Sequence, residues 1–468
     1  MRAFSKRLSR DGIRWNRRLK STNSVGVDVG FTDSVSRDRI KWTRRLKSTN
    51  AVVVEDMGGF RDSLRRWVSE RIVPNLEQWE REGQLPRDLY RDAAEMGVLA
   101  PGFPVEFGGL GNDKSDMNPM LIVVEELCRA GSGGLIASLL THNISIPPIV
   151  ELGRPELVRR VVPQVLRGEK VCALGITEPQ GGSDVASLRT TAKLDNSGEH
   201  YVLNGEKTLI TSVCCFVVVV VVCVFLLLFH SRMHPTHPPP PHTQGMQADF
   251  YTIAARTGPD GHRGISVFVV DRDAVGFSRT KLDKMGWNCS DTATLHFDDC
   301  IVPKENMLGQ ENRGFEAVMK NFNSERIFMA AQAVYFSQNL LEHTIDWAKH
   351  RETFGKRLME HQAVRHKIVD MASETSCCGA FLRDVVERFR VGDDCVSEIS
   401  MLKNKATDCM HFCADNAVQI MGGGGFIKGH VVERLYRETK VMQIGGGSTE
   451  IMKDLAAKQM GLMDFTSS

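Results

Sequence analysis

The chain has 468 residues, 42% of them hydrophobic and 25% charged, and 59 Lys+Arg against 57 Asp+Glu leave a net charge of +2. That length suits two to four domains with a sizeable core, and the composition excludes a mainly disordered, collagenous or disulfide-scaffold protein. Residues 1–50 carry 14 Lys/Arg and 4 Asp, a local +10, so the remainder is −8; a phosphate-tracking basic surface on the main body, and with it a nucleic-acid partner, is not expected.

The N-terminus is rich in Arg and Ser, poor in acids, and sets Leu, Ile and Trp among its cations, as in a presequence that forms a basic amphipathic helix for mitochondrial import. It also repeats itself: SRDGIRWNRRLKSTN (9–23) returns as SRDRIKWTRRLKSTN (36–50), identical at 12 of 15 positions. A duplicated exon or gene-model error around one presequence and a tandem presequence both account for it. Residues 1–50 are therefore set apart from the fold.

From Met57 to about Gly168 helical periodicity dominates, as in FRDSLRRWVSERIVPNLEQWEREG and LIVVEELCRA, separated by Gly/Pro-rich turns such as PGFPVEFGGLGND. Between Val171 and Val302 the pattern changes to short apolar or alternating runs, HYVLNG, FYTIAARTG, ISVFVV and ATLHFDDCIV, bounded by Gly, Asn and Asp. From Gly314 long helices return, including IFMAAQAVYFSQNLLEHTIDWAKHR and HQAVRHKIVDMASETSCCGAFLRDVVERFRV. A helical domain over 51–170, a small β-domain over 171–303 and a helical bundle over 304–468 follow, an α+β fold.

One segment breaks this order. Residues 213–244, VCCFVVVVVVCVFLLLFHSRMHPTHPPPPHTQ, begin with an all-apolar run at the short limit for a membrane span and continue into a His/Pro tract. Val213 and Gln244 are what GT-starting and CAG codons would leave at the borders of a translated intron, and removal of the segment joins YVLNGEKTLITS to GMQADFYTIAAR across a short turn. A retained intron is the expected origin, with no genuine membrane span; a membrane anchor and a surface loop are the alternatives. The 12 Cys form no CxxC pair and no Cys/His cluster at zinc spacing, so they are read as reduced, buried small hydrophobes and no metal is expected. Neither a GxGxxG after a strand nor a GxxxxGK[ST] is present, which removes a dinucleotide-binding βαβ unit and a P-loop.

Five motifs carry the chemistry. LGITEPQGGSD (174–184) offers a tight Gly turn with exposed N–H groups and the hydroxyls of Thr177 and Ser183; EKTLITS (206–212) ends a strand; RETFGK (351–356), AVQIMGGGGF (417–426) and IGGGSTEIM (444–452) follow. In this order and spacing they resemble the acyl-CoA dehydrogenase family, over about 57–212 and 245–462. The resemblance implies a helical N-terminal domain, a β-barrel-like middle domain and a C-terminal four-helix bundle, assembled as a homotetramer, a dimer of dimers. It implies FAD, held by Thr177, Gly182, Ser183, Ile210 and Thr211 around the ring and ribityl chain. Arg351, Phe354 and Gln362 match residues that reach the cofactor of a neighbouring subunit, Gln419 and Gly423 match adenine–pyrophosphate contacts, and Ser448 and Glu450 match the late cofactor loop. Family members usually have Trp or Phe where this chain has Leu209, so the flavin face is expected to be less well covered.

The reaction so implied is α,β-dehydrogenation of a fatty acyl-CoA to the trans-2-enoyl-CoA, with electrons passed to electron-transfer flavoprotein, in the mitochondrial matrix; the resemblance is closest to the long-chain type, with a short- or branched-chain substrate as the alternative. An α-C–H beside a thioester is a weak acid, so a desolvated carboxylate and a polarised carbonyl are needed. Many family members carry that base in the late loop, where this chain has Gly446. The long-chain and isovaleryl branches place it on a helix immediately before an arginine, and NFNSERIFMAAQ (321–332) has Glu325 before Arg326. Glu325 is thus the expected catalytic base, with Ser183, Asn323, Arg326, Gly446 and Gly447 on the substrate side. A first-turn helix glutamate, favoured by the helix dipole, is the structural alternative, and Glu450 the rival base. An acyl-CoA oxidase and a non-catalytic product, misfolded or membrane-bound through 213–229, are the competing functions. The C-terminal Phe-Thr-Ser-Ser is not a peroxisomal tripeptide.

Overall fold

The structure, a computed structural model, describes residues 57–111, 117–211 and 247–462, all within one compact unit, Thr49–Ser468. The N-terminal repeat, the 213–244 segment and the last six residues lie outside the described residues.

The N-terminal layer is helical: α1 Gly58–Trp67, α2 Leu76–Glu82, α3 Arg87–Glu95, α4 Asn118–Cys128, α5 Gly133–Leu139, α6 His142–Ser145, α7 Pro147–Leu152 and α8 Pro155–Leu166. The long amphipathic run at its start is split. A π-helical turn, Val68–Ile72, extends α1, and Pro74, which supplies no N–H, separates it from α2. Gly83, at φ 71, closes α2 in the left-handed conformation that spares glycine the Cβ penalty.

The middle layer holds β1 Cys172–Gly175, β2 Thr191–Leu194, β3 His200–Thr211, β4 Phe250–Arg256, β5 Ile265–Asp271, β6 Phe277–Lys281, β7 Thr292–Pro303 and β8 Met307–Leu308. They lie in the order β6–β7–β3–β2–β4–β5–β8, with β1 parallel to β4. HYVLNG and EKTLIT form one strand, β3, interrupted by register shifts at Leu203/Gly205 and Lys207/Ile210. β3 pairs with β2 and β7, and β4 with β1, β2 and β5, so the runs flanking the 213–244 segment are not partners of each other.

The C-terminal layer contains α9 Gly314–His350, a small hairpin of β9 Glu352–Thr353 and β10 Lys356–Arg357, α10 Gln362–Arg390, α11 Val396–Met421, α12 Gly423–Phe426, α13 Val431–Ile444 and α14 Thr449–Gln459. Helix α11 is the core of the bundle. Its buried residues, among them Leu402, Ala406, Met410 and Ala417, recur at the spacing that faces several neighbours, and it packs on α9, α10, α13 and α14. The described cysteines are all unbridged and buried, except Cys377, which is exposed. No single helix among the described residues is long and apolar enough to cross a membrane, and no described group of His, Cys, Asp and Glu could hold a metal ion.

Candidate active site

Glu325 lies eleven residues into α9, not in its first turn, so a helix-dipole role is removed. It is 7% exposed and lines a cleft of about 580 Å³, mouth included, between α9 and the N-terminal helices. Met120, Ile136, Leu140, Ile144 and Trp287 face it, with Phe328 and Met329 on its own helix. The lining is mostly apolar, which keeps water sparse around the carboxyl; Asn143, Ser324 and Gln332 add polar groups.

The glycine loop meets this carboxyl-bearing helix directly. Arg326 Nε donates to Gly446 O at 3.1 Å, and its Nη1 donates to Asn323 Oδ1 at 3.2 Å. Gly446 is at φ 67, and a Cβ on it would sit 2.6 Å from Met329 Sδ and 3.9 Å from Arg326 Cγ. The space that a side chain at 446 would need is thus filled by Met329, one helical turn beyond Glu325. Gly447, at φ 103, is equally committed: a Cβ would lie 2.4 Å from Met452 Cε. Fully buried Lys403 anchors the loop by donating to Gly447 O at 2.8 Å and Gln443 O at 2.9 Å, and Asn404 Nδ2 donates to Thr449 O at 2.9 Å. Ser448 caps α14, its hydroxyl accepting from Ile451 N at 3.5 Å. Glu450 is exposed and does not line the cleft, so the rival base is set aside.

A second locus is built on the sheet. The TEPQGGSD turn closes through Glu178 N to Gly181 O at 3.0 Å and Gly181 N to Glu178 O at 3.1 Å. It is tied to β3 by Thr208 N to Thr177 O at 2.9 Å and by Lys207 Nζ, which donates to Ile176 O at 3.2 Å and Glu178 Oε1 at 2.6 Å. Both ends of that ion pair are buried. Burial draws the Lys207 ammonium down to about 8, with Glu178 opposing. Burial works to raise the Glu178 carboxyl, but the Lys207 charge and the N–H groups of Thr190 and Arg189 hold it below its ordinary value. Thr177, Gly182 and Ile210 are buried here, while Ser183 is exposed on the turn and absent from the Glu325 cleft. Leu209 takes φ 59 at the β3 irregularity.

A third group faces outward. Arg351, Phe354, Gln362, Gln419 and Gly423 are all exposed, Phe354 to 96%. Arg351 makes no ion pair among the described residues, and no heavy atom lies within 4 Å of where a Cβ on Gly422 or Gly423 would stand. A guanidinium without an ion pair and open glycine backbone each suit a pyrophosphate, and hydroxyls with turn N–H groups on the sheet suit the oxygen-rich edge of a flavin, so the residues fit FAD. The sequence did not single out Met329, Lys403, Trp287 or the Lys207–Glu178 pair. Only Met329 left a usable signal, at four residues from Glu325 on one helix face.

The chain is similar to known proteins over most of its length. The family models for the acyl-CoA dehydrogenase N-terminal, middle and C-terminal domains match residues 55–169, 173–234 and 312–461. An acyl-CoA dehydrogenase of Bacillus subtilis is 32% identical over 411 residues, covering 87% of this chain and 98% of its own. The long-chain specific acyl-CoA dehydrogenase, mitochondrial, of Sus scrofa is 31% identical over 405 residues, covering 86% of this chain and 85% of its own. A crystal structure described as a putative acyl-CoA dehydrogenase from Mycobacterium smegmatis superposes with a TM-score of 0.78 at 40% identity, covering 88% of this chain and 99% of that one.

Proposed function

The chain belongs to the acyl-CoA dehydrogenase family, whose members are FAD flavoproteins and oxidoreductases, and from that premise we propose that it converts fatty acyl-CoA thioesters to trans-2-enoyl-CoA with Glu325 as the base. The observation that carries the reading is the pairing of a buried Glu325 carboxyl in the cleft with a Gly446 whose side-chain space Met329 already fills.

When bound, FAD supplies the hydride acceptor. Thr177, Gly182, Ser183, Ile210 and Thr211 would hold its ring side, with Ser448 and Glu450 on the late loop. Arg351, Phe354, Gln362, Gln419 and Gly423 would reach the cofactor of another copy in a homotetramer; their exposure in a single chain supports that assembly. In the cleft, Glu325 takes the α-proton at its carboxylate, and the apolar wall keeps water from competing for it. Arg326 fixes the glycine loop against the helix that bears the base, so a thioester that reaches the loop would meet backbone rather than side chain at 446 and 447. Electron-transfer flavoprotein as acceptor and a mitochondrial location are part of the proposal; relatives named mitochondrial and the basic N-terminal residues support the second.

The test uses the full-length chain loaded with FAD. Acyl-CoA is expected to bleach the flavin, and Glu325→Gln to slow bleaching by about 10²–10⁴-fold with flavin still bound, the range of a lost general base. Bleaching by the variant at the wild-type rate would overturn the assignment.

A further inference from the structure

Glu438, on α13, reaches the meeting point of all three layers. Its Oε2 accepts Gly133 N, the first residue of α5, at 2.8 Å, and its Oε1 accepts Trp287 N at 3.2 Å. Trp287 is 5% exposed and sits at φ 54, a left-handed conformation that a bulky residue keeps only when its surroundings enforce it. They do: besides Glu438, Lys284 Nζ and Ser290 N both donate to Trp287 O, at 2.8 Å and 3.0 Å. The indole lies flush on the start of α5. A Cβ on Gly133 would come within 2.2 Å of Trp287 Nε1, and one on Gly134 within 3.0 Å of the Trp287 backbone. The buried indole N–H has no acceptor among the described residues, so shape and backbone clamps, not a bond of its own, place the ring.

That ring lines the Glu325 cleft beside Ile136 and Ala137 of α5. The contacts at the start of α5 place its end of the cleft away from the base. The chain leading into α5 lies along the later part of α9, with Cys128 Sγ to Gln332 O at 3.9 Å and Asn339 Nδ2 to Cys128 O at 2.9 Å. Helix α13 runs back alongside, with Val431 beside Gly131 at one end and Gly446 beside Met329 at the other, which sets Glu438 between them. Along α9 the residues that line the cleft run from Ser324 to Gln332, about two helical turns, roughly 12 Å.

We infer that Trp287 is the specificity-determining residue that stops the acyl group, and that Glu438 is a positioning residue fixing the indole and the start of α5. The inference rests on the dehydrogenase reading and names its substrate class: acyl groups compact enough to end against an indole within a cleft about two turns long, short, medium or branched rather than long and straight.

The experiment measures kcat/KM of the full-length, FAD-loaded protein over straight-chain acyl-CoA thioesters from butyryl to palmitoyl. The wild type is expected to favour the shorter ones. Trp287→Leu is expected to raise the palmitoyl-to-butyryl ratio at least tenfold, the scale set by methylene discrimination in an apolar pocket. Glu438→Ala should shift the ratio in the same direction by less than Trp287→Leu and add nothing in the Trp287→Leu background, while Glu438→Gln, which keeps one acceptor oxygen but turns an NH2 toward the other backbone N–H, should shift it by less than Glu438→Ala. A wild type that prefers palmitoyl-CoA, or a Trp287→Leu ratio unchanged from wild type, overturns the inference while the dehydrogenase reading stands. If no acyl-CoA of any length is oxidised, that reading falls and takes this one with it.

Discussion

Gly446→Ala adds a single methyl group, yet the structure assigns it a large effect. The residue would have to hold φ 67, which costs an L-amino acid about 1–2 kcal/mol, and its Cβ would lie 2.6 Å from Met329 Sδ, a contact no real Cβ makes. Displacing a packed methionine adds about 1–3 kcal/mol, so a total destabilisation of ~2–5 kcal/mol is expected. The displaced thioether would move within the wall of the Glu325 cleft, so KM should rise as well. Denaturant unfolding of four proteins separates the two parts: wild type, Gly446→Ala, Met329→Ala and the double variant. With Met329 shortened, Gly446→Ala should cost only the backbone part, giving a coupling of about 1–3 kcal/mol between the sites. Equal costs in both backgrounds, or a cost below about 0.5 kcal/mol in the wild type, would refute the claim that Met329 holds position 446 to glycine.

Lys207→Met leaves the Glu178 carboxylate buried beside a thioether, and breaking a buried pair this way costs about 3–5 kcal/mol; the double change Lys207→Met with Glu178→Gln should be milder, and flavin absorbance after gel filtration should fall with the single variant because the TEPQGGSD turn loses its anchor. His142, tilted against Phe103 at 5.4 Å between ring centroids, is lowered by burial from 6.5 to about 4. Between those values the unfolded chain binds the extra proton, so stability is fully present above pH 6.5 and falls as pH drops through 4, by roughly 3 kcal/mol. Unfolding midpoints measured across that window should show the slope, and His142→Phe should flatten it; an unchanged slope in the variant would place the acid sensitivity elsewhere.

Much of this protein was written locally. Helical periodicity on either side of a strand-rich stretch gave the three layers. The pairing of Glu325 with Gly446 pointed to one site although the two residues are far apart in the chain, because a glycine where a carboxylate is expected is informative only beside a carboxylate elsewhere. Cys377 is the one described cysteine that escaped the buried reading; adjacent residues on α10 point to different faces, so only one of Cys377–Cys378 can enter the core. The break at Pro74 within a single amphipathic run, and the fusion of two strand-like runs into β3, are boundary matters that periodicity does not resolve.

What sequence patterns determine is what a residue imposes on its near neighbours: the period of a helix, the stop at a proline, the turn that only glycine makes. The tertiary structure alone decided why Gly446 must be glycine, why Trp287 holds a left-handed backbone and which carboxyl secures it. Glu438 meets Gly133 across 305 residues and Trp287 across 151, and Lys403 meets the glycine loop across a helix packing that no local pattern encodes. Those contacts exist only once three separately coded layers close on one another, because burial is a property of the assembled core and a buried charge or crowded atom has no meaning in the extended chain.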